Sequence, residues 1–116
     1  MARVIFRAKA PLRLGLGGGG SDIVDYSSQF GGAVINATIS MYAHATLEPL
    51  DNGRVELCCA DRAISRTYVA DGPLEDDRDG EMKLLIGVYN RMMRDYAGQH
   101  LACRLTTYVD APPGSG

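Results

Sequence analysis

A glycine-rich segment near the start of the chain combines residue types that bind polyhydroxylated or phosphorylated ligands. Four glycines, Gly17–Gly20, precede Ser21 and Asp22, and Arg13 lies just upstream. Glycines let a ligand approach the backbone closely, and their amides can form an anion-binding nest. An ionised Asp22 accepts hydrogen bonds from sugar hydroxyls, whereas Arg13 supplies a permanent positive charge for a phosphate. The segment therefore predicts a sugar or phosphate site.

A second candidate segment, Pro112-Pro113-Gly114-Ser115-Gly116, closes the sequence. Its prolines restrict the backbone on entry, and the Gly-Ser-Gly stretch leaves amides that can wrap a phosphate. Such a loop needs a following helix whose amino terminus adds its dipole, and that helix would begin beyond Gly116. Neither segment has the Walker pattern, because no Gly-Lys-Ser/Thr follows the glycines.

Each segment also has a plain structural interpretation. A glycine run followed by Ser-Asp is also a flexible turn that leads into a helix cap. A Pro-Gly-Ser terminus taken alone is more often a disordered tail. Only the two segments together, in this order, favour a shared ligand site.

Strands must position these two segments, and seven stretches have the composition or alternation of strands. They are residues 3–9, 12–16, 33–39, 41–48, 54–59, 64–69 and 101–109. The first is predicted to be half-buried, and Pro11 interrupts it. Asp51-Asn52-Gly53 predicts a hairpin between the strands on either side of it. Residues 33–39 and 41–48 are predicted to be two successive strands.

Two helices are predicted between these strands. Residues 23–30 follow Asp22, which together with Asp25 is expected to cap the helix, and two glycines end it. Residues 81–96 place an apolar stripe that includes Met82 and Tyr96 on one helical face, whereas the acidic stretch 71–80 is expected to be a solvated loop. This order of elements indicates an α+β fold with mostly antiparallel strands.

The composition excludes several classes of protein. The 116 residues fit one domain, and 46% hydrophobic content suffices for a core. A net charge of -2 with scattered basic residues disfavours nucleic acid and anionic membranes as partners. Three unpatterned cysteines suit a reducing cytoplasm, and no residues have metal-ligand spacing. No apolar stretch reaches membrane-spanning length. A soluble cytoplasmic protein is expected.

Residues 10–22, Ala-Pro-Leu-Arg-Leu-Gly-Leu-Gly-Gly-Gly-Gly-Ser-Asp, resemble motif 1 of the GHMP kinases, a family named after galacto-, homoserine, mevalonate and phosphomevalonate kinases. Residues 110–116 resemble the opening of its motif 2, the ATP-phosphate loop. Residues 30–39 and 83–91 most resemble the bacterial heptose-phosphate kinases of this family. The resemblance implies the amino-terminal part of the GHMP fold, which is ribosomal protein S5 domain 2-like, with a mostly antiparallel or mixed sheet and helices on one face.

The resemblance implies transfer of the γ-phosphate of ATP, with Mg²⁺, to the anomeric C1 hydroxyl of D-glycero-D-manno-heptose 7-phosphate for surface-polysaccharide synthesis. The implied sugar-site residues are Gly18, Gly19, Gly20, Ser21 and Asp22. The implied cradle for the ATP phosphates consists of Pro113, Gly114, Ser115 and Gly116. Arg13 matches a family position near the transferring phosphate. Asn36 either faces the sugar or is a buried strand amide.

In this family motif 2 continues into further sequence, and the Mg²⁺ ligands and the catalytic base come later. The resemblance therefore implies that residues 1–116 are an amino-terminal GHMP domain truncated within motif 2, without activity by itself. Gly19-Gly20 replace the Glu-His of galactokinases, which argues against galactose. A fucokinase-like or other sugar kinase and a non-catalytic sugar- or nucleotide-binding module are the alternatives, and the sequence leaves a homo-oligomer open.

Overall fold

The computed structural model describes residues 3–75, 80–112 and 114–115. Its strands and helices are β1 (Phe6–Gly17), α1 (Val24–Phe30), β2 (Ile35–Pro49), β3 (Arg54–Cys59), β4 (Ile64–Val69), α2 (Lys83–Met92) and β5 (Cys103–Val109). The strands form one sheet in the order β1-β2-β5-β3-β4. β3 runs antiparallel to β4 and parallel to β5. The mixed sheet with two helices confirms the α+β prediction.

The chain divides into two compact units. The first, which we call the core unit, comprises residues 1–8 and 44–108. The second, the loop unit, comprises residues 9–43 and 109–116 and contains both segments that the sequence singles out. The boundaries fall inside β1, β2 and β5, so each of these three strands contributes residues to both units.

The core unit is organised around α2 and β3. The buried residues of its hydrophobic core are Val55, Leu57, Leu74, Met82, Ile86, Tyr89 and Cys103. Met82, Ile86 and Tyr89 recur at helical spacing and so lie on one face of α2. Val55 and Leu57 are two residues apart on β3 and so share one face of the sheet. Burial of these two faces against each other provides the main hydrophobic stabilisation of this unit.

The stretch 71–80 is not wholly a solvated loop, because Leu74 is buried. The side-chain amide of Asn90 in α2 accepts a hydrogen bond from the Leu74 backbone N–H and donates one to the Leu74 carbonyl, each at 2.8 Å. These two hydrogen bonds hold the backbone at Leu74 against α2, although the stretch is mostly polar. Residues 76–79 lie outside the described residues.

Two predicted interruptions of strands are wrong. β1 runs through Pro11, and β2 joins the two stretches that were expected to be separate strands. β1 stands at the end of the strand order, where a missing backbone N–H costs no ladder bond. No glycine or proline separates the two halves of β2, so nothing in the local chain ends it. The predicted burial of the first stretch is also wrong, since Val4 and Phe6 are exposed.

The hairpin predicted at Asp51-Asn52-Gly53 is wrong as well, although the turn itself forms. Gly53 has a φ of 68°, and the side chain of Asn52 accepts a hydrogen bond from the Arg54 N–H at 3.1 Å. β5 lies between β2 and β3 in the sheet, so this turn does not join neighbouring strands. Turn chemistry is local, whereas the choice of strand partner is not.

The predicted second helix changes its winding before it ends. α2 stops at Met92 and continues as a π-helical turn, Met93–Ala97, with Gly98 as its left-handed cap. The wider turn shifts the helical phase, so Tyr96 is 80% exposed instead of joining the buried face. In the part of the chain that the structure describes, no helix is long and apolar enough to cross a membrane.

Candidate functional site

The glycine loop between β1 and α1 lies against the start of β2 at two close backbone contacts. A Cβ atom at Gly18 would lie 1.9 Å from the carbonyl oxygen of Ala33. One at Gly32 would lie 2.0 Å from the carbonyl oxygen of Ser21. Both distances are far too short for real atoms, so the fold itself requires glycine at these positions. This contact fixes the shape of the loop.

Ser21 reinforces the same contact through its side chain. Its hydroxyl lies 2.7 Å from the carbonyl oxygen of Gly18 and 3.0 Å from that of Ala33, so its proton can be donated to either. The hydroxyl also accepts a hydrogen bond from the Ala33 N–H at 3.1 Å. Ser21 therefore holds the loop against β2, and its predicted contact with a sugar stays a prediction.

Asp22 does not cap α1. The residue before the helix is Ile23, and no side chain caps the helix. Instead, the Asp22 carboxylate accepts a hydrogen bond from the Gly20 N–H at 3.2 Å, which draws it back over the loop. A carboxylate has further lone pairs, so Asp22 keeps acceptor capacity for a ligand.

A cavity of about 380 Å³, which we call the first cavity, opens beside this loop. Its lining residues are Arg13, Gly15, Leu16, Gly17, Gly19, Asp22, Val34, Ile35 and Asn36. Three predicted site residues thus meet here: Arg13, Gly19 and Asp22. The predicted residues Gly18, Gly20 and Ser21 belong to the loop but are not among the described residues that line the cavity. Asn36, whose position was left open, is exposed at the cavity wall.

The second predicted segment leaves β5 at a fixed point. The Asp110 N–H donates to the Tyr42 carbonyl at 3.0 Å, and the Asp110 carboxylate accepts from the Tyr42 N–H at 2.7 Å. The loop then turns at Gly114, whose φ is 80°, and the Ser115 N–H donates to the Pro112 carbonyl at 3.3 Å. The predicted residues Pro113 and Gly116 lie outside the described residues.

A second cavity, of about 500 Å³, contains this loop. Its lining residues are Pro11, Leu12, Arg13, Leu14, Ile39, Met41, Ala111, Pro112 and Ser115. Among the described residues, Arg13 is common to the two cavities. Arg13 therefore lines both the cavity beside the glycine loop and the cavity that contains Ser115.

The charge of Arg13 is not neutralised by an ion pair within residues 3–75, 80–112 and 114–115. An arginine of the core unit offers a contrast, because Arg104 pairs with Glu56 at 2.7 Å. That hydrogen bond raises the pKa of Arg104. An exposed guanidinium that has no ion pair among the described residues can bind an anion.

Among the residues that the structure describes, no three His, Cys, Asp or Glu side chains cluster as a metal site. The phosphate loop has a geometry that suits an anion at Gly114, where the left-handed backbone conformation is typical of a nest.

A larger cavity of about 1040 Å³ lies along α2 in the core unit. It has Arg62, Lys83 and Arg91 at its rim and exposed apolar residues of α2 in its wall. None of the residues that the sequence singles out for chemistry lines it. Size alone therefore does not identify the site, and we assign the site to the two smaller cavities of the loop unit.

The sequence analysis missed the cavity-lining Gly15, named Gly17 only as part of the glycine run, and left two interpretations of Asn36 open. The signal for the glycines was present, because residues two apart on a strand share a face and both follow Arg13 in β1 at that spacing. The wall of the cavity at Asn36 depends on how β2 lies beside the loop, which the local sequence does not report.

Comparison with known proteins shows which proteins this chain resembles in sequence and in structure. No protein-family model matches the chain. D-glycero-alpha-D-manno-heptose 7-phosphate kinase of Campylobacter jejuni is 39% identical over 110 residues, which cover 95% of this chain and 32% of that protein. The crystal structure of a D-glycero-D-manno-heptose 1-phosphate kinase from Bacteroides thetaiotaomicron is 48% identical, with a TM-score of 0.84 over 97% of this chain and 36% of that one.

A more distant structure extends the comparison. Mevalonate kinase of Methanococcus jannaschii shares the fold at 13% identity, with a TM-score of 0.71 over 99% of this chain and 35% of that one. The chain thus spans about a third of the length of the relatives it matches. Sequence, fold and glycine loop agree, and the chain belongs to the GHMP kinase superfamily, where it matches an amino-terminal portion of the heptose-phosphate kinases.

Proposed function

We propose that this chain supplies the sugar-binding part and the start of the phosphate loop of a cytoplasmic ATP-dependent kinase. The proposed reaction transfers the γ-phosphate of ATP to the anomeric C1 hydroxyl of D-glycero-D-manno-heptose 7-phosphate, for nucleotide-activated heptose and surface polysaccharides. The observation that carries the proposal is that Arg13 borders both the cavity with Asp22 and the cavity with Ser115.

The proposal gives the residues of each cavity a separate role. Asp22 and Asn36 accept and donate hydrogen bonds to sugar hydroxyls in the first cavity. Motif 2 assigns Pro113 and Gly116 to the cradle of the ATP phosphates together with Gly114 and Ser115, and Ser115 lines the second cavity. Arg13 stabilises the charge that develops on the phosphoryl group as it passes between the two. Mg²⁺ bound to ATP would neutralise the phosphate oxygens when present, with ligands from outside this set of residues.

The identity of the acceptor needs a direct test, because the two relatives carry different names. The protein from Campylobacter jejuni is named for heptose 7-phosphate and that from Bacteroides thetaiotaomicron for heptose 1-phosphate. We favour the 7-phosphate, because a free C1 hydroxyl is then available as the acceptor. A fucokinase-like activity is the alternative within the family, and a non-catalytic binding module is the alternative outside it.

The test uses the protein expressed from the complete reading frame in a coupled ATPase assay. The acceptors are heptose 7-phosphate, heptose 1-phosphate, fucose and mannose. We expect turnover with heptose 7-phosphate and a product that carries phosphate at both C1 and C7. A preference for fucose contradicts the proposed substrate, and sugar binding without any turnover supports the binding module instead.

Two further measurements sharpen the proposal. The 116-residue chain by itself is expected to show no ATP-dependent phosphorylation, because it spans only about a third of the length of the kinases it matches. In the complete protein, Arg13→Ala is expected to lower kcat by about 100-fold or more. Arg7→Ala is the matched control, since Arg7 lies on the same strand, is exposed and lines neither cavity. Equal activity of the two variants would contradict the role of Arg13.

A further inference from the structure

The glycines around the first cavity fall into two groups. In the first group the backbone requires glycine. A Cβ at Gly18 or Gly32 would collide with a carbonyl oxygen, and Gly20 has a φ of 94°, which residues with a side chain rarely adopt. These glycines are explained by the fold, and none of the three lines the first cavity.

In the second group the backbone does not require glycine. Gly15 and Gly19 have ordinary φ angles, and a Cβ built on either would meet no atom within 4 Å. A Cβ on Gly17 would touch only the Ile35 side chain, at 3.7 Å, which is an ordinary van der Waals contact. A glycine inside a strand weakens it, so such positions need another reason, and a close-packed ligand is a common one.

All three glycines of this second group line the same cavity, together with Arg13, Asp22 and Asn36. Arg13, Gly15 and Gly17 alternate along β1 and so present one face, on which two successive side chains are missing beyond the guanidinium. Arg13, Asp22 and Asn36 contribute polar groups to the lining of the cavity, and Leu16, Val34 and Ile35 contribute apolar ones.

We infer that Gly15, with Gly17 and Gly19, is the floor on which the ring of the sugar lies, and that the missing side chain of Gly15 sets the size of ring that the cavity accepts. The inference rests on the proposed function for the identity of the ligand. A pyranose suits this surface, because its C–H face can lie flat on the glycine backbone while its hydroxyls reach Asp22 and Asn36 at the rim. Gly15 is thus a specificity-determining residue that acts by absence of bulk.

The test is a size series, Gly15→Ala and Gly15→Val, in the protein expressed from the complete reading frame. Gly72→Ala is the matched control, because Gly72 also has an ordinary φ and open space around its Cα, and it lines none of the cavities described above. Each variant is measured for its thermal midpoint, for KM of heptose 7-phosphate and of ATP, and for the thermal shift that heptose 7-phosphate alone induces.

We expect the thermal midpoint of both Gly15 variants to equal or exceed that of the wild type, because a side chain favours the strand. The KM for the sugar is expected to rise about tenfold for alanine and further for valine, while the KM for ATP stays the same. The sugar-induced thermal shift is expected to shrink in the same order. Gly72→Ala should match the wild type in every measurement.

Two results overturn the inference while leaving the proposed function intact. One is an active wild type whose Gly15 variants keep the sugar KM and the sugar-induced shift. The other is a fall of several degrees in the thermal midpoint of Gly15→Ala, which would show that the fold needs this glycine. If the wild type prefers another sugar, the same series on that sugar decides the inference. A wild type that responds to no sugar or sugar phosphate overturns both the inference and the proposed function.

Discussion

Different interactions stabilise the core unit and the loop unit. Among its described residues the core unit buries seven hydrophobic ones, and Val55 and Leu57 are wholly inaccessible to solvent. In the loop unit no described residue is buried, and apolar side chains such as Leu14 and Phe30 are exposed. Its loops are instead shaped by glycine contacts and by hydrogen bonds to backbone groups.

The two units therefore contribute differently to the stability of the chain and to ligand binding. Burial of apolar surface provides most of the free energy of folding, so the core unit carries the stability of the chain. Backbone contacts and single hydrogen bonds contribute less each but fix positions, which is what a ligand site needs. Substitutions in the core unit should therefore lower the free energy of unfolding most, whereas substitutions in the loop unit should mainly change local structure.

The largest effect is expected in the core unit, at Leu57. Leu57→Ala leaves a cavity beneath α2 and is expected to lower the free energy of unfolding by about 2–5 kcal/mol. Urea denaturation measures this directly. Val69→Ala on the neighbouring strand is the control, because Val69 is 62% exposed and its loss should cost little. A change below about 1 kcal/mol for Leu57→Ala would contradict the description of the core.

The next effect separates the two kinds of glycine in one run. Gly18→Ala places a methyl group against the Ala33 carbonyl at a residue with φ of 83°, so roughly 1–3 kcal/mol of strain is expected in the loop. Gly19→Ala has an ordinary φ and open space and should cost little. Amide hydrogen exchange at Ser21 and Ala33 is the measurement. Equal exchange in the two variants would show that the loop does not depend on this contact.

A smaller effect is expected at the attachment of the phosphate loop. Asp110→Ala removes the carboxylate that accepts from the Tyr42 N–H at 2.7 Å, which is expected to cost about 1 kcal/mol. The backbone bond from Asp110 to the Tyr42 carbonyl remains. Exchange of the Tyr42 amide should therefore rise by about fivefold. Asp71→Ala, at an exposed position of the core unit, should leave it unchanged.

The smallest effect is a dependence on alkaline pH that belongs to the core unit. Burial raises the pKa of Tyr89 above its ordinary value of 10.0 and that of Cys103 above 9.0. The unfolded chain then loses these protons at lower pH than the folded one. The stabilisation is complete below about pH 9 and is lost as the pH rises through the raised pKa values.

Urea denaturation between pH 7 and 11 tests this dependence. The Tyr89 hydroxyl donates to the Leu101 carbonyl at 2.9 Å, so Tyr89→Phe also removes that bond and lowers stability at neutral pH. Above pH 9 its free energy of unfolding should fall less steeply than that of the wild type. Parallel pH profiles would show that Tyr89 does not contribute to the dependence.

Much of the local structure could be predicted from the sequence. β3 and β4 begin and end where alternation and turn residues predict, and α1 ends at Gly31 with its left-handed φ of 73°. The errors lie where the environment overrides the local pattern. Pro11 does not break β1, because that strand stands at the edge of the sheet. Leu74 is buried because its side chain belongs to the hydrophobic core, and Asn90 binds its backbone.

The site shows the same division. The residue types for a sugar and a phosphate, Arg13 and Asp22 with the glycine loop, are evident in the sequence because motif chemistry is local. That Arg13 also lines a second cavity, with Ser115, is not evident in the sequence, because it depends on where β2 and the Asp110 loop come to lie. The sequence also cannot tell Gly18 from Gly19, since only the position of the Ala33 carbonyl distinguishes them.

The sequence by itself determined the turns, the buried face of α2 and the chemical character of the two loops. These depend on residues within one or two turns of each other, and short-range sterics and periodicity decide them. Only the tertiary structure decided that β5 lies between β2 and β3 and that Arg13 borders both cavities. It also decided which glycines contact the backbone of another segment and which line a cavity. Those features arise from pairing between distant segments, and burial and backbone hydrogen bonding over the whole sheet select that pairing.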